Sequence, residues 1–443
     1  MKTKLTTLVF LTSAHLGCAN HTRLHVDPVD AMVYDPVHVR ITGVPDEQTV
    51  TVRAAMVDTD GMRWESVNRF RPRDGAVDLA EHAPVSGSYD VASRMGFVWS
   101  MTPAENDTDR PLMFATSSLE ASTIDLTVHV GDETLERRLT RRTLRPGVRR
   151  VEVREDGLVG TLFLPQNASE LPTVMLMGGS GGGLGEREGA LLASEGYVTL
   201  ALAYFEAEGL PETLTNIPLE YFETGIEYLQ GLPEVDAERI AVLGASRGGE
   251  LALLLGGTFP QIKGVIAIVG SGLVWGSCCP PGDDPAWTLG GKPIPYVPHD
   301  ADPELEKRFF EDLDAGKPVA WAPVARSMME RELERRSDAI IAVERTNGPI
   351  LMLSGAEDAL WPSGPLSEVA RQRLELHDFP FPYEHISYPE AGHSFPPPYM
   401  PATLSRNPNG FLRGGSTEGT ARAMEDAWRR ILEFLNETLR HDR

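Results

Sequence analysis

Ser246 stands in the segment Gly244-Ala245-Ser246-Arg247-Gly248, with Gly249 next. An apolar strand pattern leads into it over 239–243, and a helical pattern leaves it over 249–255. That context predicts a serine on a sharp strand-to-helix turn, its hydroxyl projecting past the strand ends. The flanking glycines let strand and helix backbones approach where a Cβ would collide. A serine hydroxyl is a weak nucleophile at neutral pH, so it needs a base, and the base needs a group to hold it. Two later residues meet that need. Asp358 lies in Gly355-Ala356-Glu357-Asp358, just past a strand pattern at 349–354, and His393 lies in Glu390-Ala391-Gly392-His393, just past another at 385–388. We therefore expect Ser246 as nucleophile, His393 as base and Asp358 as its orienting acid. Glu357 is the alternative acid. His385 is the alternative base, placed within a strand rather than beyond it.

Acyl transfer also requires donors for a tetrahedral oxyanion. The backbone N–H of Arg247, at the start of the helix, supplies one. The glycine-rich run at 178–183 (GGSGGG) follows an early strand, and the N–H of Ser180 is the expected second donor. The same run is not a phosphate loop, because no Gly-Lys-Ser/Thr follows and its glycines miss the dinucleotide spacing.

These residues need a scaffold, and the chain reads as two halves. Residues 24–150 show short alternating runs at 37–41, 50–54 and 124–130, punctuated by turn clusters. Evenly spaced strands of this kind predict a β-sandwich. After residue 157 strands alternate with helices, which predicts a mostly parallel sheet covered on both faces. Strands are expected at 173–177, 198–203, 239–244, 264–270, 349–354 and 385–388. Helices are expected at 188–195, 219–229 and 249–255, with a closing amphipathic helix at 425–439. The order Ser…Asp…His on such a sheet is that of an α/β-hydrolase. The expected fold is thus an all-β sandwich (19–150) followed by an α/β-hydrolase (151–443). Residues 274–347 form an insertion rich in Pro, Gly and acidic residues, helical around 323–336, with the length of a lid or substrate-shaping loop.

Composition narrows the partners. The 443 residues carry a formal charge of −23, which excludes nucleic acid as a partner that would require a basic surface. Three cysteines exclude a disulfide scaffold and a multi-cysteine zinc site, and no cofactor is indicated. Residues 1–18 read as a signal peptide: Lys2 and Lys4, then an apolar run too short to span a bilayer, then Gly17-Cys18-Ala19. Either Cys18 is lipidated and anchors an exported protein to a membrane, or cleavage near Gly17 and Ala19 releases it; an uncleaved cytoplasmic start is the third reading. Cys278 and Cys279 form an adjacent pair that is either a strained ring or two thiols. Seven arginines fall at 137, 138, 141, 142, 145, 149 and 150. They form either a solvated strand face and linker or a patch for an anionic ligand.

Beyond these features the chain resembles the acyl-CoA thioesterase / bile acid-CoA:amino acid N-acyltransferase family over nearly its whole mature length. The resemblance rests on 175–183 (MLMGGSGGG), 201–205 (ALAYF), 219–222 (LEYF), 243–250 (LGASRGGE), 388–393 (YPEAGH), 397–399 (PPY) and 425–428 (EDAW), in the family's order. It implies an N-terminal Ig-like sandwich, a C-terminal α/β-hydrolase and a triad of Ser246, Asp358 and His393. Family members that transfer the acyl group use Cys as nucleophile, so Ser246 implies hydrolysis with water as acceptor. The expected substrate is an acyl thioester or ester. A broad cell-envelope carboxylesterase and a non-catalytic binding protein with a relic hydrolase domain are the competing readings. The charge of −23 repels a polyanionic leaving group such as CoA over long range, unless the arginine cluster offsets it locally.

Overall fold

The computed structural model describes residues 21–104, 113–278, 282, 284–333, 335–395, 397–403 and 410–440. The expected signal segment with Cys18, and Cys279 of the adjacent cysteine pair, lie outside them.

The first half is β-rich, as its alternation predicts. Along Val50–Val57, Val50, Val52 and Ala54 are buried while Thr51 and Arg53 turn outward. A three-stranded sheet is built from Arg23–Asp27, His38–Thr42 and Ala76–Asp78. A larger sheet pairs Arg63–Phe70, Val50–Val57, Ser122–Val130 and Glu133–Arg142 antiparallel. Gly131, at φ 56°, closes the two-residue turn between the last two. Both sheets feed one core, with Val39, Ile41 and Val77 from the first and Val52, Phe70, Leu126 and Val128 from the second.

The second half is an eight-stranded mixed sheet. Its strands are β1 (Arg149–Val153), β2 (Val159–Leu164), β3 (Leu171–Met177), β4 (Val198–Ala203), β5 (Val235–Ala245), β6 (Ile262–Ile268), β7 (Ile350–Gly355) and β8 (Tyr383–Tyr388), in the order β1-β2-β4-β3-β5-β6-β7-β8. β2 runs antiparallel to both neighbours, and the other pairings are parallel. The helices that decorate it are α1 (Glu186–Ser194), α2 (Glu220–Gln230), α3 (Arg247–Thr258), α4 (Pro303–Asp314), α5 (Ala322–Glu332), α6 (Ser363–Leu376) and α7 (Thr417–Leu439). Strand periodicity divides the core in two. Met175, Met177 and Val242 join Phe222 of α2, Leu251 of α3 and Leu374 of α6 on one face. Val174, Leu176, Ala241 and Leu243 join Leu192 of α1 and Ile431 and Leu435 of α7 on the other. This is an α/β-hydrolase-like architecture, and it leaves the C-terminal ends of β5, β7 and β8 along one edge.

Three features depart from the sequence expectation. The sheet starts at Arg149, with β1 and β2 ahead of the first strand expected there. The insertion carries α4, whose start is capped by Asp302 Oδ1 accepting from the N–H groups of Glu304 and Leu305. Helix α7 begins at Thr417, eight residues early, because Ser416 Oγ accepts from Gly419 N at 2.9 Å. The insertion has its own core, in which Trp275, Phe309, Val324 and Met328 cluster with Trp361 and Leu366.

The two halves meet along α1 and α7. Tyr34 donates to Glu195, and its ring packs tilted against Trp428 with centroids 5.2 Å apart. Arg145 N donates to Ser194 Oγ at 2.9 Å. Ala421 and Met424 of α7 pack into the core of the first half.

Candidate active site

Ser246 caps α3 at φ 58°, ψ −121°. A non-glycine residue held there stores strain of about 1–3 kcal/mol. The surroundings explain why it persists. Ser246 N donates to Ile268 O of β6 at 2.8 Å, and Ser246 O accepts from Gly249 N at 2.9 Å. The neighbouring glycines are sterically obligatory. A Cβ on Gly244 would lie 1.9 Å from Gly248 O, and one on Gly248 would lie 2.4 Å from Gly178 O. The close approach at Gly248 presses the 178–183 loop against the turn, and Gly179 sits where an added Cβ would be 3.1 Å from Ser246 Cβ. Ser180 therefore follows a residue in contact with Ser246, and Arg247 opens α3, whose N-terminal dipole favours negative charge.

The structure brings Ser246, His393 and Asp358 together. His393 Nε2 lies 3.0 Å from Ser246 Oγ, and His393 Nδ1 lies 2.7 Å from Asp358 Oδ2. The side chains of His393 and Asp358 are only 4% and 1% exposed. Asp358 Oδ1 accepts from Leu360 N and Trp361 N at 3.0 and 2.8 Å, and Oδ2 also accepts from Ser363 Oγ at 2.7 Å. Four hydrogen-bonding contacts, counting His393, hold this buried carboxylate in one orientation. Glu357 is exposed, so the adjacent carboxylate is outside this chain of contacts. His385 is elsewhere as well. Its Nε2 meets Ser354 Oγ at 2.8 Å and its Nδ1 faces Glu368 at 3.6 Å, and burial pushes its pKa down.

Several residues that hold this geometry escaped the sequence reading. The segment 413–415 ties the two loops: Arg413 O accepts from His393 N at 2.8 Å and from Ala359 N at 3.2 Å. Gly414 and Gly415 bridge to Asp358 and Ala391 at φ 75°, and a Cβ on Gly414 would lie 1.8 Å from Glu357 O. The Gly-Gly pair just before a Ser cap was the available signal. Ser363 is a second case. Removing its hydroxyl deletes a buried bond to a charge, worth about 1.5–3 kcal/mol. Ser363→Ala is expected to lower kcat about 10- to 100-fold with KM held, checked by steady-state kinetics.

Arg247 contributes a side chain as well as an amide. Its Nη2 donates to Trp275 O and Gly276 O, both at 3.1 Å, and its Nε lies 3.3 Å from Glu250 Oε2. Glu250 is fully buried, and its Oε1 accepts from Trp275 N and Trp287 Nε1 at 3.1 and 2.9 Å. Burial pushes the Glu250 pKa up against the pull of Arg247. The pair fastens the start of the insertion to the helix behind Ser246. Trp275 in turn packs 4.8 Å from Trp361, whose backbone N–H donates to Asp358 Oδ1. Glu250→Gln leaves Arg247 buried without its counter-ion, and unfolding in urea is expected to show a loss of about 3 kcal/mol. A change below about 0.5 kcal/mol, the range of a surface substitution, would contradict the role assigned to the pair.

Comparison with known proteins gives the family. Residues 34–155 match the family model described as "Acyl-CoA thioester hydrolase/BAAT N-terminal region". Residues 217–441 match "BAAT / Acyl-CoA thioester hydrolase C terminal". The chain belongs to the acyl-CoA thioester hydrolase/BAAT family. Among relatives of this family it is 31% identical to acyl-coenzyme A thioesterase 6 of Mus musculus over 94% of this chain and 96% of the relative. It is 32% identical to acyl-coenzyme A thioesterase 1 of Homo sapiens with the same coverage. It is 30% identical to the peroxisomal succinyl-coenzyme A thioesterase of Mus musculus, again covering 94% and 96%. Solved structures resemble it more loosely. A puromycin-hydrolyzing peptidase of Mycobacterium tuberculosis aligns with a TM-score of 0.44 at 15% identity, over 93% of this chain and 67% of that one. An esterase of Pyrobaculum calidifontis aligns with a TM-score of 0.40 at 15% identity, over 66% and 85%. Within the acyl-CoA thioester hydrolase/BAAT family, Ser246, Asp358 and His393 of this chain all fall in the C-terminal match.

Proposed function

We propose that this chain hydrolyses an acyl thioester of the acyl-CoA type through an acyl-enzyme on Ser246. The observation that carries the reading is the continuous contact from Asp358 Oδ2 through both ring nitrogens of His393 to Ser246 Oγ, at 2.7 and 3.0 Å. Ser246 Oγ attacks the acyl carbonyl carbon while His393 Nε2 takes its proton. Asp358 holds the ring with Nδ1 protonated and stabilises the imidazolium. The oxyanion of the tetrahedral intermediate is received by the N–H groups of Arg247 and Ser180. Collapse breaks the carbon–sulfur bond, and His393 returns the proton to the leaving thiolate. Water, deprotonated by His393, then attacks the acyl-enzyme and releases the carboxylic acid. In this reading residues 19–150 are the sandwich, 151–443 the catalytic domain, and the insertion at 274–347 shapes the acyl pocket, tethered through Arg247 and Glu250. Residues 1–18 export the chain, with Cys18 as lipid anchor. Intact-mass analysis of the purified protein tests that address.

The catalytic test is a panel of acyl-CoA thioesters of increasing chain length beside aryl esters, followed by release of free thiol and of phenol. Turnover of the thioesters is expected. Turnover of aryl esters alone would replace the thioesterase reading with a carboxylesterase. Failure of Ser246 to label with a fluorophosphonate would remove the enzyme reading altogether.

A further inference from the structure

The arginine cluster resolves into two kinds of residue. Five of its members are ion-paired at the surface: Arg138 with Asp125, Arg142 with Asp30, Arg145 with Glu195, Arg149 with Glu234 and Arg150 with Glu186. Arg137 is exposed. Arg141 differs from all of these. It is 2% exposed, its Nη2 donates to Val33 O and Asp35 O at 2.8 and 2.7 Å, and its Nε and Nη1 have no hydrogen-bond partner among the described residues. A buried guanidinium with idle donors is costly, and a native protein that keeps one calls for an explanation in the form of a ligand, water or ion.

Arg141 also borders a cleft between the two halves. The cleft has a cavity volume of about 50 Å³, opens to solvent on one side, and is lined by both Arg141 and Arg187. Arg187 comes from the first turn of α1 and forms no ion pair with a described carboxylate. Ser246, Asp358 and His393 are not among the lining residues. Burial lowers the pKa of both arginines, that of Arg141 to about 10, against the opposing pull of Asp35 on Arg141 and of Glu188 on Arg187. The acids nearby do not neutralise them by direct contact. Asp58 spends its carboxylate on Asp60 N, Met62 N, Trp64 Nε1 and Ala115 N. Asp35 accepts from Met32 N, and Glu120 stands exposed at the rim. Tyr399 directs its hydroxyl to Glu425. Two arginines with no ion pair to a described carboxylate, lining one small cleft in a chain of charge −23, make a site for an oxyanion.

We propose that this cleft binds one phosphate group, held by the guanidinium groups of Arg141 and Arg187. The phosphate is either inorganic or part of a ligand. Where it belongs to the leaving group of an acyl thioester, the site serves the proposed reaction, and that part of the inference rests on the thioesterase reading. Binding of the anion itself does not.

The test is a titration of the full chain with inorganic phosphate at constant ionic strength, read by calorimetry and by Tm. Saturable binding that raises Tm is expected, with chloride ineffective. Arg187→Gln is expected to weaken it at least tenfold, and Arg137→Gln to leave it unchanged. Arg141→Lys should weaken it too. If that variant fails to fold because Val33 O and Asp35 O lose their donor, Arg187→Gln and Arg187→Glu decide the matter alone. No phosphate-specific binding, or binding that survives both Arg187 substitutions, overturns the proposal. The two sources separate in kinetics on Arg187→Gln. A KM for acyl-CoA raised at least fivefold, with the KM for an aryl ester unmoved, assigns the phosphate to the substrate. Both KM values unmoved while phosphate binding is lost assigns the site to free phosphate. Absence of thioesterase activity in the unaltered protein, with phosphate binding intact, removes the functional reading and leaves the site standing.

Discussion

Ser246→Ala is expected to lower kcat by about 10⁴- to 10⁶-fold on every substrate the unaltered chain turns over, while KM moves little. The acyl chain and leaving group bind through other residues, and only the bond-forming atom is removed. Loss of structure is separable from loss of chemistry at this position. Ser246 sits at φ 58°, ψ −121°, a conformation that strains serine and alanine alike and that glycine adopts freely. Ser246→Gly is therefore expected to be as inactive as Ser246→Ala and yet more stable by about 1 kcal/mol, measured as a rise in the urea midpoint. Activity falling together with stability would point to unfolding instead. Retention of more than about 1% of kcat in either variant would falsify the nucleophile assignment, because the residual rate without an attacking group lies orders of magnitude lower.

Asp358→Asn is expected to cost about 10³- to 10⁴-fold in kcat, and the hydrogen bonds around the carboxylate dictate why. Oδ1 accepts from two backbone N–H groups, those of Leu360 and Trp361. These donors cannot rotate away, so an asparagine must turn its carbonyl oxygen to them and its amide nitrogen to the position of Oδ2. That nitrogen faces Ser363 Oγ and His393 Nδ1. Ser363 can switch to accepting. His393 can only satisfy the new donor by accepting at Nδ1, which places its proton on Nε2, toward Ser246. In that tautomer Nε2 has no lone pair for the serine proton. The fold and KM should be preserved, since the side chain keeps its volume and its backbone contacts. Steady-state kinetics and the rate of fluorophosphonate labelling should fall in parallel. A loss below tenfold would mean that the tautomer of His393 is set by some other group.

The element types of the second half were legible because β-strand and helix periodicities are local. Strand β4 was expected at its observed bounds, and β5, β7 and β8 were each expected within a few residues. What was missed has physical causes. β1 pairs only with β2 and lies at the edge of the sheet. It exposes Arg149, Arg150 and Glu152, so its composition is that of a linker. In α4 the buried residue is Phe309, and so little apolar periodicity shows among its acids. Its Asp302-Pro303 start was nonetheless a readable cap signal. The closing helix gains its first two turns from Ser416 and from contact with the core of the first half, neither of which is a helical pattern.

The site divides along the same line. Local sequence decided that a serine occupies a strained turn between strand and helix, because glycines are needed wherever backbones touch, and those glycines are visible one by one. It also decided that an acid and a histidine follow strand ends. Sequence favoured Asp358 but left Glu357 open beside it, two adjacent carboxylates of equal chemistry. The separation came from burial, which exposes one and surrounds the other with donors. Contacts spanning 147 and 35 residues along the chain exist only because the parallel sheet aligns the ends of β5, β7 and β8 and the 413–415 segment locks two loops together. The arginine cluster makes the same point. Seven like charges look equivalent in a string of letters, and only the fold pairs five of them with carboxylates and buries Arg141 with donors to spare.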